Sequence, residues 1–453
     1  MEHRLERVVT GLLCLVFGSS LAGEFHTKAE TMRWFEGARF GLFIHWDPRS
    51  NVEIGTFDPD IRPEAKRAQG AAFFTRMPDG RLKWQTWNPR EFDAKEWVDL
   101  FVDAGARYFT FTAMHAYGFC NFDSPVTDFD IMSTDYKKDI CAQLARAARG
   151  RIVHFWYFNA RAAQDGEHIP KNLWPDYYKR FWKVKTYDEL RARNIQHLIT
   201  HTDLYGKVAG IWWDGGGRFA DVPVNKTFLK VLRDAQPWLI MNWRLGLPGY
   251  RGDWRTPEQR IPDFSMDPQW ETCIPIEGSL WFWAGGKPSH IKDSTRCLTM
   301  LVMCATRDGN LLLNISPMPN GKIQPLQAKV LRQMGAWLKA HGQTIYGTRG
   351  GPYKPGLWGV STRRGNTVYL HITQKWPGGV LVLPPLPAKV TGYRALTGGK
   401  PTVEQAADRL VVRLDPKHHA SPDTIIALTL DRDALSIAPI ETLFERTLTT
   451  DAR

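Results

Sequence analysis

Cysteine is scarce, with six in 453 residues, and none forms a Cys-x-x-Cys pair or a Cys/His cluster. That composition argues against a zinc module or a densely disulfide-bonded scaffold, and it implies no metal site and no cofactor. Five cysteines follow the N-terminal segment: Cys120, Cys141, Cys273, Cys297 and Cys304. They are expected as buried thiols with at most one or two disulfides, because Cys297 and Cys304, if on one helix, would stand roughly 10 Å apart. Long apolar runs are also missing: the longest, Val8 to Gly18, is too short to span a bilayer. Basic residues exceed acidic ones, giving a net charge of +12, yet they are scattered instead of forming a stripe interleaved with aromatics. This argues against nucleic acid as a partner and leaves a weak long-range attraction for acidic polysaccharide. There are no long repeats and no low-complexity tracts.

What is abundant is tryptophan, nineteen in all. Indole in such excess lines cores and carbohydrate-stacking clefts, so sugar chemistry is the first expectation. The N-terminus has the layout of a secretory leader: a charged Met1–Arg7, the apolar run, then small residues around Ser20-Leu21-Ala22. Cleavage is expected after Ala22, giving a secreted or periplasmic protein with no membrane attachment once the leader is removed.

Along the chain, short apolar runs alternate with amphipathic segments. Strands are expected at 40–46, 108–114, 152–158, 208–214, 238–244, 270–273 and 310–316, with helices at 93–105, 138–149, 187–205, 228–235, 290–304 and 324–341. Alternation of this kind implies a parallel sheet, here a (β/α)8-like TIM barrel in which one of the eight strands is missing or irregular. After Tyr346 the pattern changes to turn-punctuated alternation at 366–372, 379–383, 409–414 and 424–430, expected of a small antiparallel β-sandwich. The expected division is a leader at 1–22, a barrel at 23–345, a sandwich at 346–435 and a tail at 436–453.

Polar residues gather where the barrel strands end. His45 and Trp46 end the first, His115 follows the second, Tyr157 and Asn159 end the third, Asp214 ends the fourth and Arg244 the fifth. In a barrel these ends converge on one mouth, where active sites form. Asp214 stands out, because the apolar run Gly210-Ile211-Trp212-Trp213 stops at a carboxylate followed by three glycines. A carboxylate walled by indoles suits a nucleophile facing a sugar ring. Glycoside cleavage also needs a carboxyl group that protonates the leaving oxygen. Glu258 on a Pro-interrupted loop is the first choice, and Glu271, at the head of the next strand, is expected to orient Arg244 or a substrate hydroxyl.

The motifs Phe40-Gly41-Leu42-Phe43-Ile44-His45-Trp46, Phe92-Asp93-Ala94-Lys95-Glu96-Trp97, Gly210-Ile211-Trp212-Trp213-Asp214-Gly215, Thr256-Pro257-Glu258-Gln259, Trp270-Glu271-Thr272 and Gly309-Asn310-Leu311-Leu312-Leu313-Asn314 resemble those of glycoside hydrolase family 29, the α-L-fucosidases. The resemblance runs from Phe40 to about Leu430. It implies a catalytic barrel followed by a sandwich and a retaining exo-glycosidase acting on glycans or polysaccharides, with Asp214 as nucleophile and Glu258 as acid/base. It also implies sugar contacts from His45, Glu53, His115, Tyr157, Trp212 and Arg244. Three departures stand out: Ala116 where the family pattern has a second histidine after His115, Asp47 where it has glycine, and Thr56 where an aromatic is expected. They motivate two other readings: a related exo-glycosidase for a modified, sulfated or galactose-type sugar, and a catalytically silent carbohydrate-binding protein.

Overall fold

The computed structural model describes residues 25–51, 76–116, 118–159, 180–215, 226–245, 250–283, 291–373 and 377–442. The expected leader, Glu53 and Thr56 lie outside them. Seven parallel strands, β1 (Phe40–Ile44), β2 (Tyr108–Met114), β3 (Val153–Asn159), β4 (Gly210–Asp214), β5 (Ile240–Met241), β6 (Glu271–Pro275) and β7 (Asn310–Ile315), lie in the order β5-β4-β3-β2-β1-β7-β6.

The gap between β5 and β6 is filled by Asp253–Gln259. On one side Asp253 N donates to Met241 O at 2.8 Å and Trp243 N to Trp254 O at 3.1 Å; on the other Gln259 N donates to Cys273 O at 3.0 Å. Single parallel pairings of Asn242 with Trp254, Arg255 with Trp270 and Glu258 with Cys273 run through it. This is the irregular eighth stave. Pro257 has no N–H to give, so a regular ladder cannot form there. Glu258 therefore rides on a barrel stave, not on a free loop as the sequence suggested.

The helices Ala94–Asp103, Ile140–Ala148, Tyr187–Thr200, Lys226–Ala235, Ser294–Thr306 and Pro325–His341 cover the barrel. Outward side chains such as Leu42, Phe109, Trp156, Ile211 and Leu313 pack into that layer. Inward ones, Phe43, Tyr108, Phe155, Tyr157, Trp212, Trp254, Cys273 and Leu312, fill the interior. Strand alternation thus sorts each run into two faces. A helix not foreseen from sequence, Lys28–Ala38, opens with a Thr27/Glu30 capping box. It plugs the bottom of the barrel with Phe35, whose ring lies 5.0 Å from that of Trp254 and 5.5 Å from that of Tyr108.

Rings this large fit because two inward positions are glycine. A Cβ on Gly41 would sit 2.3 Å from the Tyr108 ring, and one on Gly210 would sit 2.4 Å from the Phe155 ring. Either ring is hemmed in by its neighbours and cannot retreat. Gly41→Ala or Gly210→Ala is expected to destabilise by about 1–3 kcal/mol through overpacking; a denaturation midpoint unmoved in both variants would contradict that picture.

Beyond the barrel, β12 (Val390–Ala395), β15 (Thr424–Leu430), β10 (Thr367–Ile372), β9 (Val360–Arg364) and β8 (Arg349–Gly350) form one antiparallel sheet, and β11 (Val380–Leu383), β14 (Leu410–Arg413) and β13 (Thr402–Gln405) a second. Their apolar faces share a core of Val368, Leu370, Leu381, Leu410, Val412, Ile426 and Leu428. At the junction with the barrel, Asp308 is fully buried. One oxygen accepts from Arg39 Nη2 at 2.7 Å and the other from Arg349 Nη2 at 2.6 Å. Arg39 also donates to the carbonyl of Thr348 at 3.1 Å.

All five described cysteines are free and buried, and Cys297 and Cys304 share one helix. Among the described residues no cluster of His, Cys, Asp and Glu could hold a metal, and no helix is long and apolar enough to cross a membrane.

Candidate active site

The interior of the barrel is layered. At the lowest level Glu271, the first residue of β6, accepts from Tyr108 OH and, at 2.9 Å, from Trp212 Nε1. Glu271 is buried beneath the site and does not meet Arg244, contrary to the orienting role expected for it. What it orients is the Trp212 indole. Burial pushes its carboxyl up to about 7 against the opposing pull of the Tyr108 and Trp212 donors.

That shift has a sign. The folded state holds a proton that the unfolded chain releases near the ordinary value of 4.5, so the contribution to stability is complete below 4.5 and lost as pH rises through about 7. The loss is on the order of 3 kcal/mol. Glu271→Gln, which stays neutral, should flatten this part of the stability–pH profile. Parallel slopes for the two proteins from pH 4.5 to 7.5 would place the titration elsewhere.

Above this layer, aromatic rings form the floor. Trp212 stacks on Tyr157 with centroids 5.6 Å apart and planes 21° apart, and Tyr157 stacks on His115 at 5.2 Å and 16°. His45 packs edge-on to both His115 and Tyr157. Trp281 at 5.0 Å and Phe282 at 5.4 Å complete the wall. Sequence reasoning passed over these two, although Trp281-Phe282-Trp283 is an aromatic triplet that could have drawn notice.

The histidines are set by their neighbours. Asn314 Nδ2 donates to Trp281 O at 2.9 Å, which turns Asn314 Oδ1 toward His45 Nδ1 at 2.7 Å. His45 Nδ1 is then the donor and Nε2 an acceptor. Burial drives the His45 pKa down to about 3, so the ring is neutral. His115 has the opposite arrangement: Nδ1 accepts from Ala116 N at 2.7 Å, so in the neutral ring Nε2 carries the proton. The two rings thus hold opposite tautomers. Asn314, part of a potential glycosylation triplet, is committed to the interior.

Asp214 ends β4 with Oδ2 accepting from Tyr157 OH at 2.7 Å and Oδ1 from Arg244 Nη1 at 2.8 Å. Burial works against its charge, but the Arg244 guanidinium and these hydrogen bonds outweigh it and hold the carboxyl below the usual range. Arg244 reaches it because the chain after β5 coils into a 3-10 turn, Trp243–Leu245, instead of continuing the expected strand. The same guanidinium lies 4.9 Å above the Trp212 ring. Its Nε donates to Thr256 Oγ1 at 2.9 Å, and both Nη atoms donate to Glu258 Oε2 at 3.1 Å. Since Arg244 Nη1 touches both carboxylates, the two bonded oxygens are no more than about 6 Å apart, which brings the groups to one cleft.

Asp47 is not a loose charge at the mouth. It is buried and paired with the side chain of Arg49, whose guanidinium lies 3.8 Å over Phe282. The structure thus brings His45, His115, Tyr157, Trp212, Asp214, Arg244 and Glu258 into one cleft and leaves Glu271 below it.

An eight-staved barrel with two carboxylates held by one arginine above stacked aromatic rings defines a glycoside hydrolase. The sequence profile of the α-L-fucosidase family matches residues 23–343, and the chain belongs to that family. It is 28% identical over 398 residues to the tissue α-L-fucosidase of Rattus norvegicus, covering 80% of this chain and 81% of that one. Against the tissue α-L-fucosidase of Homo sapiens it is 27% identical over 385 residues, covering 77% of each. In structure it resembles α-L-fucosidase isoenzyme 1 from Paenibacillus thiaminolyticus, with a TM-score of 0.76 at 26% identity over 89% of this chain and 99% of that one.

Proposed function

We propose that this protein removes terminal α-L-fucose from glycans or polysaccharides by double displacement, with Asp214 as nucleophile and Glu258 as acid/base. In the first step an Asp214 oxygen forms a bond to the anomeric carbon as the glycosidic C–O bond breaks, and the Glu258 proton passes to the departing oxygen. In the second step Glu258 takes a proton from water, the water oxygen attacks the same carbon, and Asp214 is released. The configuration inverts twice and is retained.

The observation that carries this reading is the shared Arg244 guanidinium, which touches both carboxylates and supports their working on one bond. Tyr157 and Arg244 favour an ionised Asp214, ready to attack. Trp212, Tyr157 and His115 floor the cleft as one stacked column, while the His45 Nε2 acceptor is available to a sugar hydroxyl. Glu53 is retained as a further contact by resemblance alone. The barrel, taken as 23–345, would carry the chemistry, and the sandwich, taken as 346–435, would brace it from below. A leader over 1–22 would make the enzyme secreted or periplasmic.

The direct test follows hydrolysis of an aryl α-L-fucoside by proton NMR. The α anomer of fucose should appear first and mutarotate later. Initial release of the β anomer would refute retention, and turnover of α-galactosides without fucosides would favour the galactose-type reading.

A further inference from the structure

The 3-10 turn that delivers Arg244 also places its neighbour. Leu245 is buried in the core and Arg244 reaches into the cleft, so Trp243 is left facing outward at 49% exposure. It is the most exposed tryptophan among the described residues. The ring is nevertheless fixed: Nε1 donates to Thr256 Oγ1 at 3.0 Å, the hydroxyl that also accepts Arg244 Nε at 2.9 Å. Trp243 is thus tied through one shared oxygen to the arginine that touches both carboxylates. Thr256 and Glu258 are two apart on the irregular stave, so their side chains emerge on the same side.

A pinned indole with an open face on the rim costs apolar exposure, and what would cover it follows from the reaction. Glu258 protonates the oxygen that joins the fucose to the rest of the substrate, so the leaving sugar must lie on the Glu258 side of Asp214. Trp243 is anchored to Thr256, two residues from Glu258 on that stave. Resting on the proposed fucosidase reading, we propose that Trp243 is the platform of a leaving-group subsite, where the second pyranose of an oligosaccharide stacks its apolar C–H face on the indole. The subsite selects what fucose is attached to, a property separate from recognition of fucose itself.

The test compares two substrates in wild type, Trp243→Ala and Trp243→Phe. One is α-L-fucosyl fluoride, whose leaving group is too small to reach the indole. The other is the fastest-cleaved member of a panel of 1,2-, 1,3-, 1,4- and 1,6-linked fucosyl disaccharides. The readout is the ratio of kcat/KM for disaccharide to that for fluoride, which cancels any general loss of active protein, while Trp243→Phe, which also lacks the N–H, controls for a disturbance of Arg244 and Glu258 through Thr256. Stacking predicts that the ratio falls about tenfold in Trp243→Ala and returns to within about twofold of wild type in Trp243→Phe, which keeps a flat face but loses the N–H. An unchanged ratio in Trp243→Ala overturns the subsite. An equal fall in both variants also overturns it, because the effect would then run through the hydrogen bond to Thr256. Wild-type cleavage of fluoride with no disaccharide cleaved overturns the subsite alone, whereas a wild type inactive on every fucoside overturns the fucosidase reading and the subsite with it.

Discussion

Asp214→Gly is expected to lose at least about 10⁴-fold in kcat on aryl α-L-fucosides, about 5.5 kcal/mol of transition-state stabilisation, because the variant lacks the carboxylate proposed to form the covalent intermediate. The fold should survive the change. Arg244 keeps its bonds to Thr256 and Glu258, and Tyr157 OH still accepts from Asn159 Nδ2 at 3.2 Å. Azide, small enough for the space vacated by the carboxylate, should restore turnover by attacking the anomeric carbon from the side Asp214 occupied, giving β-L-fucosyl azide. Near-wild-type activity in the variant would remove Asp214 from the nucleophile's role.

Glu258→Ala should behave in the complementary way. Disaccharides, whose leaving oxygen needs a proton, are expected to slow by about 10²–10⁴-fold, while fucosyl fluoride, which leaves with little assistance, should slow far less at the first step. The covalent intermediate still forms on Asp214, so azide now attacks it from the opposite face and gives the α azide. Two variants, one added nucleophile and opposite anomers would separate the two carboxylates more sharply than rates alone. If Glu258→Ala slows fluoride and disaccharide equally and yields no azide product, the acid/base lies elsewhere. Glu271 is poorly placed to replace it, since its oxygens are engaged beneath the cleft by Tyr108 and Trp212.

The regular staves were legible in the sequence because buried parallel strands are nearly unbroken apolar runs. β2, at Tyr108–Met114, falls on the residues its run marks out. The eighth stave was hidden for the opposite reason: Trp254, Thr256 and Glu258 alternate with Arg255, Pro257 and Gln259, which reads as a loop until both flanking backbones are seen to bond to it. The helix Lys28–Ala38 escaped notice because its buried face is only Thr31, Phe35 and Ala38. In the sandwich, Val360–Arg364 was passed over because it carries two arginines, yet Arg363 is buried with its guanidinium donating to the carbonyls of Gly350, Ala434 and Ile437.

Strand-end positions in the site were readable for the same geometric reason. The roles of supporting groups were not. Nothing in the order of residues says that Asn314 sets the tautomer of His45, that Arg49 pairs with the unexpected Asp47, or that Glu271 supports Trp212 instead of Arg244. The first and the last depend on which side chains from distant staves meet inside a closed barrel, whereas the Asp47–Arg49 pair is local and what the sequence hides is its burial against Phe282.

The buried Asp308 is claimed from both sides, by Arg39 of the barrel and by Arg349 of the first sandwich strand, while Arg39 also donates to the carbonyls of Thr348 and Gly309. Cutting the chain after the last barrel helix would strip away Arg349 and Thr348 and leave the buried Asp308 and Arg39 each short of a partner. The barrel is therefore not a module that evolution or an engineer can lift out intact. Chimeras that exchange the C-terminal part must carry this three-residue electrostatic joint with them, or the catalytic half will not hold together.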